Sequence, residues 1–483
     1  MNNKYNVAKA WKMVLSMVAL VLLASCNRQR EAMEQSDKYP EIFPDYRGVT
    51  IPREIAPLNF SVAEAEHLQV EVRNMTDNSL LQAIGQEHVE MDIDAWHKLI
   101  ASADSLEVSV SVWDQQHPQG VTYRSFRIYV SGDEIEPWIM YRLIPPGYEG
   151  WNKMGIYQRS LKDFSEYTIT DNTDNGKGCM NCHSACKGNP DNFTFHSRGA
   201  NGGTIIQRNG RLYKVDLKSL EPGLQGSYNA WHPSGRYIAF SSNKTVQSFM
   251  SRSRDKIEGY DLRGDILVYD VEKNKMHWDE RFTNDSTMES FPSFSPDGRW
   301  MFFVSAQPVN MPTEYDKLRY NILRVPFDPE TAQLGQVDTI FSAHEMQRSA
   351  IIPRVSPDGR YLMYSTSPTG ALNLYHNDSD LGMIDLQSGQ QVDCSGLNSE
   401  ESESYHTWAN SGCWVIYSSK RIDGRFTRLY IVHWDGKQWG KPFLLPQQDP
   451  RHNTLRMFAY NIPEFITKAV KLDRSELRKL LIK

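Results

Sequence analysis

Two cysteines and a histidine stand at a spacing with a specific chemistry. Residues 179–183 read Cys-Met-Asn-Cys-His, within a segment rich in glycine, asparagine and aspartate. In a C-x-x-C-H sequence the two thiols add to the vinyl groups of a porphyrin, and the adjoining imidazole binds the iron. The spacing predicts one covalent haem c, attached at Cys179 and Cys182 with His183 as proximal ligand. A zinc or disulfide site is the alternative, because Cys186 and His196 lie nearby in sequence.

The second axial ligand is less defined by the sequence. His196 is the nearest downstream histidine and lies among aromatic residues that can pack on a porphyrin. Its competing interpretation is a loop histidine hydrogen-bonded to the backbone. Met154 is the alternative ligand, and Met250 is a third candidate. A methionine would raise the reduction potential, a second histidine would lower it, and an open position would permit catalysis. Arg198 is either the partner of a haem propionate or an ordinary surface arginine.

The N-terminus has the pattern of an export signal. A positive stretch opens the chain, with the lysines Lys4, Lys9 and Lys12. An apolar run at 13–22 follows and is too short to predict a membrane span. It ends in Leu-Ala-Ser-Cys at 23–26, which resembles the lipobox of bacterial lipoproteins. This resemblance implies a signal peptide over 1–25 and a lipid anchor on Cys26. An ordinary signal peptide with an incidental cysteine is the alternative.

The composition and the predicted export signal both indicate a globular protein of the cell envelope. The 483 residues are 40% apolar and 23% charged, with a net charge of −6. Basic residues are outnumbered and scattered, so nucleic-acid binding is not expected. Residues 26–45 are polar and predict a flexible tether. Asn27 follows the lipobox cysteine instead of aspartate, which favours the outer membrane, with the protein facing the periplasm. Haem is attached covalently outside the cytoplasm, so export supports the haem prediction.

Period-2 patterns dominate residues 46–172. Apolar residues alternate with polar ones at 68–72 and again at 106–112, as in half-buried strands. One helical pattern interrupts them near residue 93, with Asp92 or Asp94 as its N-cap. These features predict a β-sandwich-like domain with an immunoglobulin-like strand pattern. The following segment, 173–203, is too short to enclose a haem, so we expect the flanking β domains to supply its walls.

A turn motif repeats through the second half of the chain. Ser-Pro-Asp-Gly occurs at 295–298 and 356–359, with degenerate copies at 232–235 and 409–412. Proline presets such a turn, aspartate or serine caps it, and glycine takes the positive-φ position before the next strand. The turn glycines lie 53 to 63 residues apart, and each copy is flanked by strand patterns. This arrangement indicates the blades of a β-propeller.

The repeats resemble those of TolB-like β-propellers over about 200 residues. The resemblance implies a propeller over 204–465, with five blades or, as is usual in TolB, six. Apparent orphan strands at 203–206, 212–215 and 454–459 are expected to form a closing blade from both ends of this region. Residues 466–483 predict a C-terminal helix, with Asp473 and Glu476 at capping-box spacing. The predicted fold class is therefore mainly β.

The propeller lacks the marks of known propeller enzymes. No G-x-S-x-G motif follows it, which excludes a prolyl-peptidase-type hydrolase, and sialidase boxes are absent. His232, His406 and Arg354 are expected either to face the central channel or, as we favour, to hydrogen-bond between blades. Whether Cys394 and Cys413 pair is left open by their spacing.

The whole chain resembles lipoproteins of Bacteroidetes-like bacteria that join a c-type haem motif to a TolB-like propeller. The resemblance implies a membrane-anchored, monohaem electron-transfer protein whose propeller docks a redox partner. Two alternatives remain at this point. In the first, the propeller binds an envelope component and the haem is structural or sensory. In the second, an open haem site performs redox catalysis.

Overall fold

A computed structural model describes residues 29–145, 153–199, 202–220, 226–249, 257–370, 372 and 375–482. The predicted signal peptide, the lipidation site Cys26 and Met250 lie outside these residues. The chain forms two compact units, namely the described parts of Met1–Ser131 with Pro446–His452, and those of Gly132–Leu445 with Asn453–Lys483. In the described part of the chain, no helix has the length and apolar character needed to cross a membrane.

The first unit is built on one sheet of seven strands. These are β1 Glu34–Gln35, β2 Thr50–Pro52, β3 His67–Asn74, β4 Leu80–Gly85, β5 Ser105–Trp113, β6 Val121–Thr122 and β7 Phe126–Ser131. The alternating residues of β3 and β5 bury their apolar side chains, as the period-2 pattern predicts. Strand β5 pairs with β3 along one edge and divides its other edge between β7 and β6. This shared strand joins all seven into a single sheet, whereas an immunoglobulin-like sandwich has two.

One helix packs in this unit. Helix α1 spans Ile93–Ile100, and the Asp92 carboxylate caps it by accepting from the Ala95 N–H at 2.8 Å. Of the two predicted caps, the structure therefore uses Asp92. The helix buries Trp96, whose indole N–H donates to the Ile55 carbonyl at 3.0 Å. That hydrogen bond satisfies the polar atom of an otherwise apolar face.

The second unit is a propeller of six four-stranded antiparallel sheets within the described residues. Blade 1 combines β8 Trp138–Ile144, β9 Gly155–Ser160 and β10 Glu166–Asp171 with the C-terminal β31 Ala459–Ile466. Blade 2 contains β11 Met180–Cys186, β12 Asn189–Ser197, β13 Gly203–Arg208 and β14 Arg211–Val215. Blade 3 contains β15 Ser227–Trp231, β16 Tyr237–Phe249, β17 Ile257–Asp270 and β18 Lys275–Trp278.

The remaining blades follow in chain order. Blade 4 contains β19 Met288–Phe294, β20 Trp300–Ala306, β21 Asn321–Pro326 and β22 Asp338–Phe341. Blade 5 contains β23 Ser349–Val355, β24 Tyr361–Ser367, β25 Asp380–Asp385 and β26 Gln391–Val392. Blade 6 contains β27 Glu403–Trp408, β28 Trp414–Ser419, β29 Arg428–His433 and β30 Phe443–Leu444. Four short helices complete the unit or its borders: α2 Leu217–Leu220, α3 Ala343–Met346, α4 His452–Leu455 and α5 Arg474–Ile482.

The architecture corrects the predicted boundaries. The prediction of five blades is wrong, and its alternative of six is right. The propeller begins at β8 instead of residue 204, so the strands assigned to the end of a 46–172 domain belong to blade 1. The segment 173–203 supplies two strands of blade 2, and the supposed orphan strands at 203–215 complete that blade. The two ends of the propeller region do form the closing blade, as expected, but its strands are β8 to β10 and β31 instead of those at 203–215 and 454–459.

The predicted turns have the expected conformation. The glycines Gly235, Gly298, Gly359 and Gly412 all have positive φ, between 72° and 76°. In the second turn the Ser295 hydroxyl donates to Asp297 at 2.6 Å, and Asp297 also accepts from the Arg299 N–H at 3.0 Å. These bonds fix the tight link between the first and second strands of a blade.

The C-terminal helix closes the chain on the propeller. The Asp473 carboxylate accepts from the Ser475 and Glu476 N–H groups at 2.8 and 3.2 Å, which confirms the predicted cap. Leu477 and Leu481 are buried in the same apolar cluster as Ile466 of β31. The helix thereby packs where blade 1 and blade 2 adjoin.

Candidate functional site

The innermost strand of every blade, which in blade 1 is β31, has the same irregularity. One residue in each has positive φ, and the strand pairing shifts by one residue at that point. These six residues are Cys182 (53°), Tyr228 (47°), Phe291 (50°), Ile352 (56°), Tyr405 (28°) and Ile462 (51°). All six line one small void of about 30 Å³. Because the void is reached from six blades, it marks the propeller's central channel, and we call these positions the channel bulges.

The C-x-x-C-H motif lies at one of these bulges. Cys179 comes immediately before β11, Cys182 is the bulge residue, and His183 follows it. Across the hairpin, Asn181 pairs with His196 and Ser184 with Thr194, so three steps on β11 face two on β12. The bulge breaks the alternation of a regular strand and brings Cys182 to the channel.

The motif's two thiols are buried and unpaired. Cys179 and Cys182 are each 6% exposed, and both are free. Burial raises the pKa of Cys179, and the positive charges of Arg142 and Arg198 partly oppose that rise. Cys186 is also free, and its Sγ donates weakly to the His232 carbonyl at 3.5 Å. Burial raises the Cys186 pKa to about 11, which leaves it an inert thiol of the blade core.

His183 is a neutral imidazole in the interior. It is 2% exposed, and neither ring nitrogen has a well-formed hydrogen bond within the part of the chain that the structure describes. Burial lowers its pKa to about 3, with repulsion from Arg142 adding to the effect, while backbone groups of Ile462 and Met140 oppose it. A deprotonated ring nitrogen without a partner is the form in which histidine binds a metal.

The other predicted site residues have different surroundings. His196 is on β12, where its Nδ1 lies 3.2 Å from the Thr204 hydroxyl. Arg198 donates its backbone N–H to the Cys179 carbonyl at 2.8 Å, and its buried Nε has no partner among the described residues. Met154 is 2% exposed, and its sulfur accepts from the Met180 N–H at 3.4 Å. The structure thus brings Arg198 and Met154 next to the motif on the Cys179 side, and His196 beside its strand.

A cluster of three or more His, Cys, Asp or Glu side chains arranged for a metal ion is not found in the described ranges. The motif itself supplies one histidine and two cysteines, and a structural zinc site would need a fourth ligand.

Several residues near the motif were missed by sequence reasoning. Arg142 of β8 acts electrostatically on Cys179 and His183. Tyr228 and Tyr405 are bulge residues, and burial raises the pKa of both. The two tyrosines could have been found from the sequence. Each begins a repeat, and its position in the repeat corresponds to that of Cys182 in β11. Arg142 had no such signal, since its strand joins the ring only through β31.

A long hairpin lies on the Cys179 side of the channel. Strands β16 and β17 are 13 and 14 residues long, about twice the length of their counterparts. The Gln247 amide donates to the Tyr375 hydroxyl at 2.6 Å, and Glu258 contacts His376 at 2.8 Å. The hairpin of blade 3 therefore reaches the loop between β24 and β25 of blade 5. Tyr375 is close enough to Cys179 for their charges to interact.

The remaining predictions concern His232, His406 and the last two cysteines. His232 Nε2 lies 3.0 Å from the Gly298 carbonyl, which confirms hydrogen bonding from blade 3 to blade 4. His406 lies beside the Met363 backbone of blade 5, which acts on its pKa as a hydrogen-bonding group. Neither of its ring nitrogens has a well-formed hydrogen bond among the described residues. Cys394 and Cys413 are both free, and thus they do not form a disulfide.

Comparisons with known proteins identify the fold only. No family model matches the chain, and no curated protein does. Among solved structures, the chain is similar to a puromycin-hydrolyzing peptidase of Mycobacterium tuberculosis, with 12% identity and a TM-score of 0.35 over 83% of this chain. The match spans 57% of that peptidase's length. An oligogalacturonate lyase from Vibrio parahaemolyticus matches with 11% identity and a TM-score of 0.36, covering 78% of this chain and 85% of the lyase.

A third similar structure is the β-propeller domain of the Trilobed protease from Pyrococcus furiosus. It has 10% identity and a TM-score of 0.32, covering 70% of this chain and 81% of that domain. At these identities the similarities describe architecture and carry no activity over to this chain.

Proposed function

We propose that this chain is a lipid-anchored envelope protein that carries one covalent haem c at the propeller channel and transfers electrons to a docking partner. The observation that supports the proposal is the environment of the C-x-x-C-H motif. Its two thiols are free, and its histidine is buried, neutral and without a well-formed hydrogen bond. These are the states that thioether formation and axial ligation require.

The side chains at the motif are of the kinds that attach and ligate a haem. Cys179 and Cys182 would hold the porphyrin covalently, and His183 would be the proximal ligand. Arg142 and Arg198 bring positive charge to the Cys179 side, where they would balance the propionates. A bound haem supplies a one-electron iron couple. His196 and Met154 remain the candidates for the distal side.

The channel sets a spatial condition on this proposal. The void beside Cys182 and His183 measures about 30 Å³, which is the share of roughly one water molecule in the liquid. A porphyrin needs far more room. Loading therefore requires groups at the Cys179 side of the channel to lie further apart than they do here, and the β16–β17 hairpin is the element whose contacts with the β24–β25 loop would open.

Envelope attachment belongs to the same proposal. Acylation at Cys26 would anchor the chain to the membrane. The predicted 26–45 tether is not free along its whole length, because β1 at Glu34–Gln35 already pairs with β6 in the first unit. The propeller would provide the docking surface for a redox partner protein. Labelling with a radioactive fatty acid tests the anchor, since Cys26→Ser protein should lose the label and leave the membrane fraction.

Absorption spectroscopy tests the haem directly. The full-length protein, produced with haem-maturation machinery, should give a pyridine haemochrome spectrum of haem c at one haem per chain. Cys179→Ala/Cys182→Ala protein should lose it completely, because both thioether bonds are gone. Cys186→Ala is the matched control, since this third thiol of β11 is buried in the blade core and should leave the spectrum unchanged.

Three results would contradict the proposal or redirect it. Identical spectra for the double variant and the unsubstituted chain would remove covalent attachment. Stoichiometric zinc in the purified protein would replace the haem by a metal site. A high-spin spectrum that shifts on adding cyanide would favour a redox enzyme, whereas a low-spin spectrum that changes in His196→Ala or Met154→Ala protein supports electron transfer.

A further inference from the structure

A second, larger cavity lies where the first strands of the blades end. Its volume is about 380 Å³, and residues from all six blades line it. That volume is within the range of small-molecule sites in proteins. The cavity contains none of the cysteines or the histidine of the C-x-x-C-H motif, so its ligand chemistry is separate from the proposed haem. We call it the Arg354 cavity, after the side chain that lines both it and the 30 Å³ void.

Arg354 is a half-buried cation with an incomplete environment. It is the second residue after the channel bulge of blade 5, and it lines the cavity where the blades converge. Among the residues that the structure describes, its guanidinium makes no hydrogen bond and no ion pair. Arginine does not deprotonate in proteins, so an enclosed guanidinium needs an anionic or strongly accepting partner. The cavity is the open space from which such a partner can approach.

The nearest acid does not fill that role completely. Glu464 of β31 lines the same cavity and attracts Arg354 electrostatically. Its carboxylate, however, is tied to blade 2, where it accepts from the Ala185 N–H at 3.0 Å. Burial raises the Glu464 pKa to about 7, so at neutral pH a sizeable fraction of this carboxyl is uncharged. Glu136 is the second acid of the lining; it accepts from the Asn410 N–H at 2.8 Å, and burial raises its pKa. Both acids of the lining thus have a backbone partner of their own, whereas Arg354 has none among the described residues and is available to a ligand.

The walls indicate what else a ligand must offer. Four aromatic side chains from blades 1, 3, 4 and 6 line the cavity, namely Trp231, Phe294, Trp408 and Phe465. The Ser293 hydroxyl and the Trp408 indole N–H are buried there and have no hydrogen-bond partner within the described residues. Lys187 stands exposed at the lining and adds a second positive charge. Positive charge and aromatic walls therefore meet in one space, while the buried polar atoms of Ser293 and Trp408 lie behind its surface.

We propose that the Arg354 cavity binds a small organic carboxylate, with its anionic group on Arg354 and its planar apolar body between the aromatic walls. The carboxylate supplies the partner that Arg354 lacks, and a charge-assisted bidentate pair is the strongest hydrogen-bonding arrangement for a guanidinium. The apolar body replaces water against the indole and phenyl rings.

Isothermal titration of the full-length protein tests this with two probes of equal shape. Phenylacetate should bind with one site per chain, and phenylacetamide should bind at least about tenfold more weakly, because it offers no negative charge to the arginine. Arg354→Gln should reduce the phenylacetate affinity to that of the amide. Arg360→Gln is the matched control, since Arg360 belongs to the same blade and pairs with Asp385 at the surface at 2.9 Å.

The outcomes separate cleanly. Equal affinity for acid and amide, or unchanged binding in Arg354→Gln protein, would overturn the proposal. Displacement of phenylacetate by an equal concentration of inorganic phosphate would overturn its organic part. If Arg354→Gln protein does not fold, the comparison of the two probes on the unsubstituted chain decides alone. Repeating the titration on Cys179→Ala/Cys182→Ala protein should give the same affinity, since the haem motif does not line this cavity.

Discussion

Two channel bulges of the propeller carry a histidine directly after the positive-φ residue. They are Cys182-His183 in blade 2 and Tyr405-His406 in blade 6. Both imidazoles are 2% exposed, and both lack well-formed hydrogen bonds among the described residues. Burial lowers the pKa of each to about 3. Two blades thus give the same backbone position, the same burial and the same protonation state.

The bulges differ in what surrounds the histidine. His183 follows two free thiols and experiences the charge of Arg142, whereas His406 follows a tyrosine and experiences the charge of Arg354. A buried neutral histidine is therefore a product of the fold and occurs without any motif. What sets blade 2 apart is the pair of cysteines. The evidence for the haem proposal therefore comes from Cys179 and Cys182. His183 alone would not support it.

The largest expected contrast is between the axial-ligand variants. In haem-loaded protein, His183→Ala should abolish the low-spin spectrum, because the proximal nitrogen is removed. His406→Ala removes an equally buried imidazole and should leave the spectrum unchanged. Absorption and electron paramagnetic resonance spectra of the two variants measure the difference. Equal loss in both would show that the spectrum reports general packing of the channel, and it would remove His183 from its proposed role.

Repeats were predictable because their signal is local. The conformation of each Ser-Pro-Asp-Gly turn is determined by four adjacent residues. Gly298 and Gly359 have the positive φ that the motif requires. The closing blade has no local signal. Its strand β31 pairs with β8, more than 300 residues away in sequence, so neither strand is recognisable as part of a blade by itself. That long-range pairing explains why the propeller was expected to begin too late in the chain.

Blade 2, which contains the C-x-x-C-H motif, was not predicted as a blade for a related reason. In β11 the bulge at Cys182 breaks the period-2 alternation, and the glycine- and asparagine-rich approach to it has the composition of a loop. Chemical reasoning identified the residues of the motif, but the strand that holds them follows from pairing with β12. The Arg354 cavity was only partly foreseeable. The repeat pattern gave two possible places for Arg354, namely the central channel or a hydrogen bond between blades. Glu464 could not be placed from the repeats, because it lies on β31, which no repeat motif marks.

Acid should destabilise both bulges by a similar amount. Each histidine has a folded-state pKa of about 3, well below its ordinary value of 6.5, so the unfolded chain binds protons that the folded chain does not. This contribution is complete above pH 6.5 and is lost as the pH falls toward 3. At pH 5 the loss is about 2 kcal/mol for each histidine. Denaturant unfolding of haem-free protein at pH 7 and pH 5 measures it.

Variants isolate the two contributions. His183→Asn and His406→Asn should each reduce the loss of stability between pH 7 and pH 5 by about 2 kcal/mol. His67, His232 and His277 also have lowered pKa values, and they contribute the same background to every sample. Comparison with the unsubstituted chain at each pH cancels the carboxyl groups, which matters because the raised pKa of Glu464, about 7, works in the opposite direction. In haem-loaded protein a ligated His183 cannot titrate, so only His406→Asn should retain its effect. In haem-free protein, an identical pH dependence of the unsubstituted chain and both variants would contradict the burial argument.

The smallest effect concerns the backbone that all the bulges share. Ile351 and Ile352 are neighbours on β23 and are 0% and 3% exposed, but only Ile352 is a bulge residue, with φ of 56°. A left-handed conformation costs a side-chain-bearing residue roughly 1–2 kcal/mol, and glycine avoids that cost. Both Ile351→Gly and Ile352→Gly lose a buried side chain, but we expect Ile352→Gly to lower the free energy of unfolding by about 1 kcal/mol less. Urea unfolding with unchanged m-values measures the difference, and equal losses would show that the channel bulges are held without backbone strain.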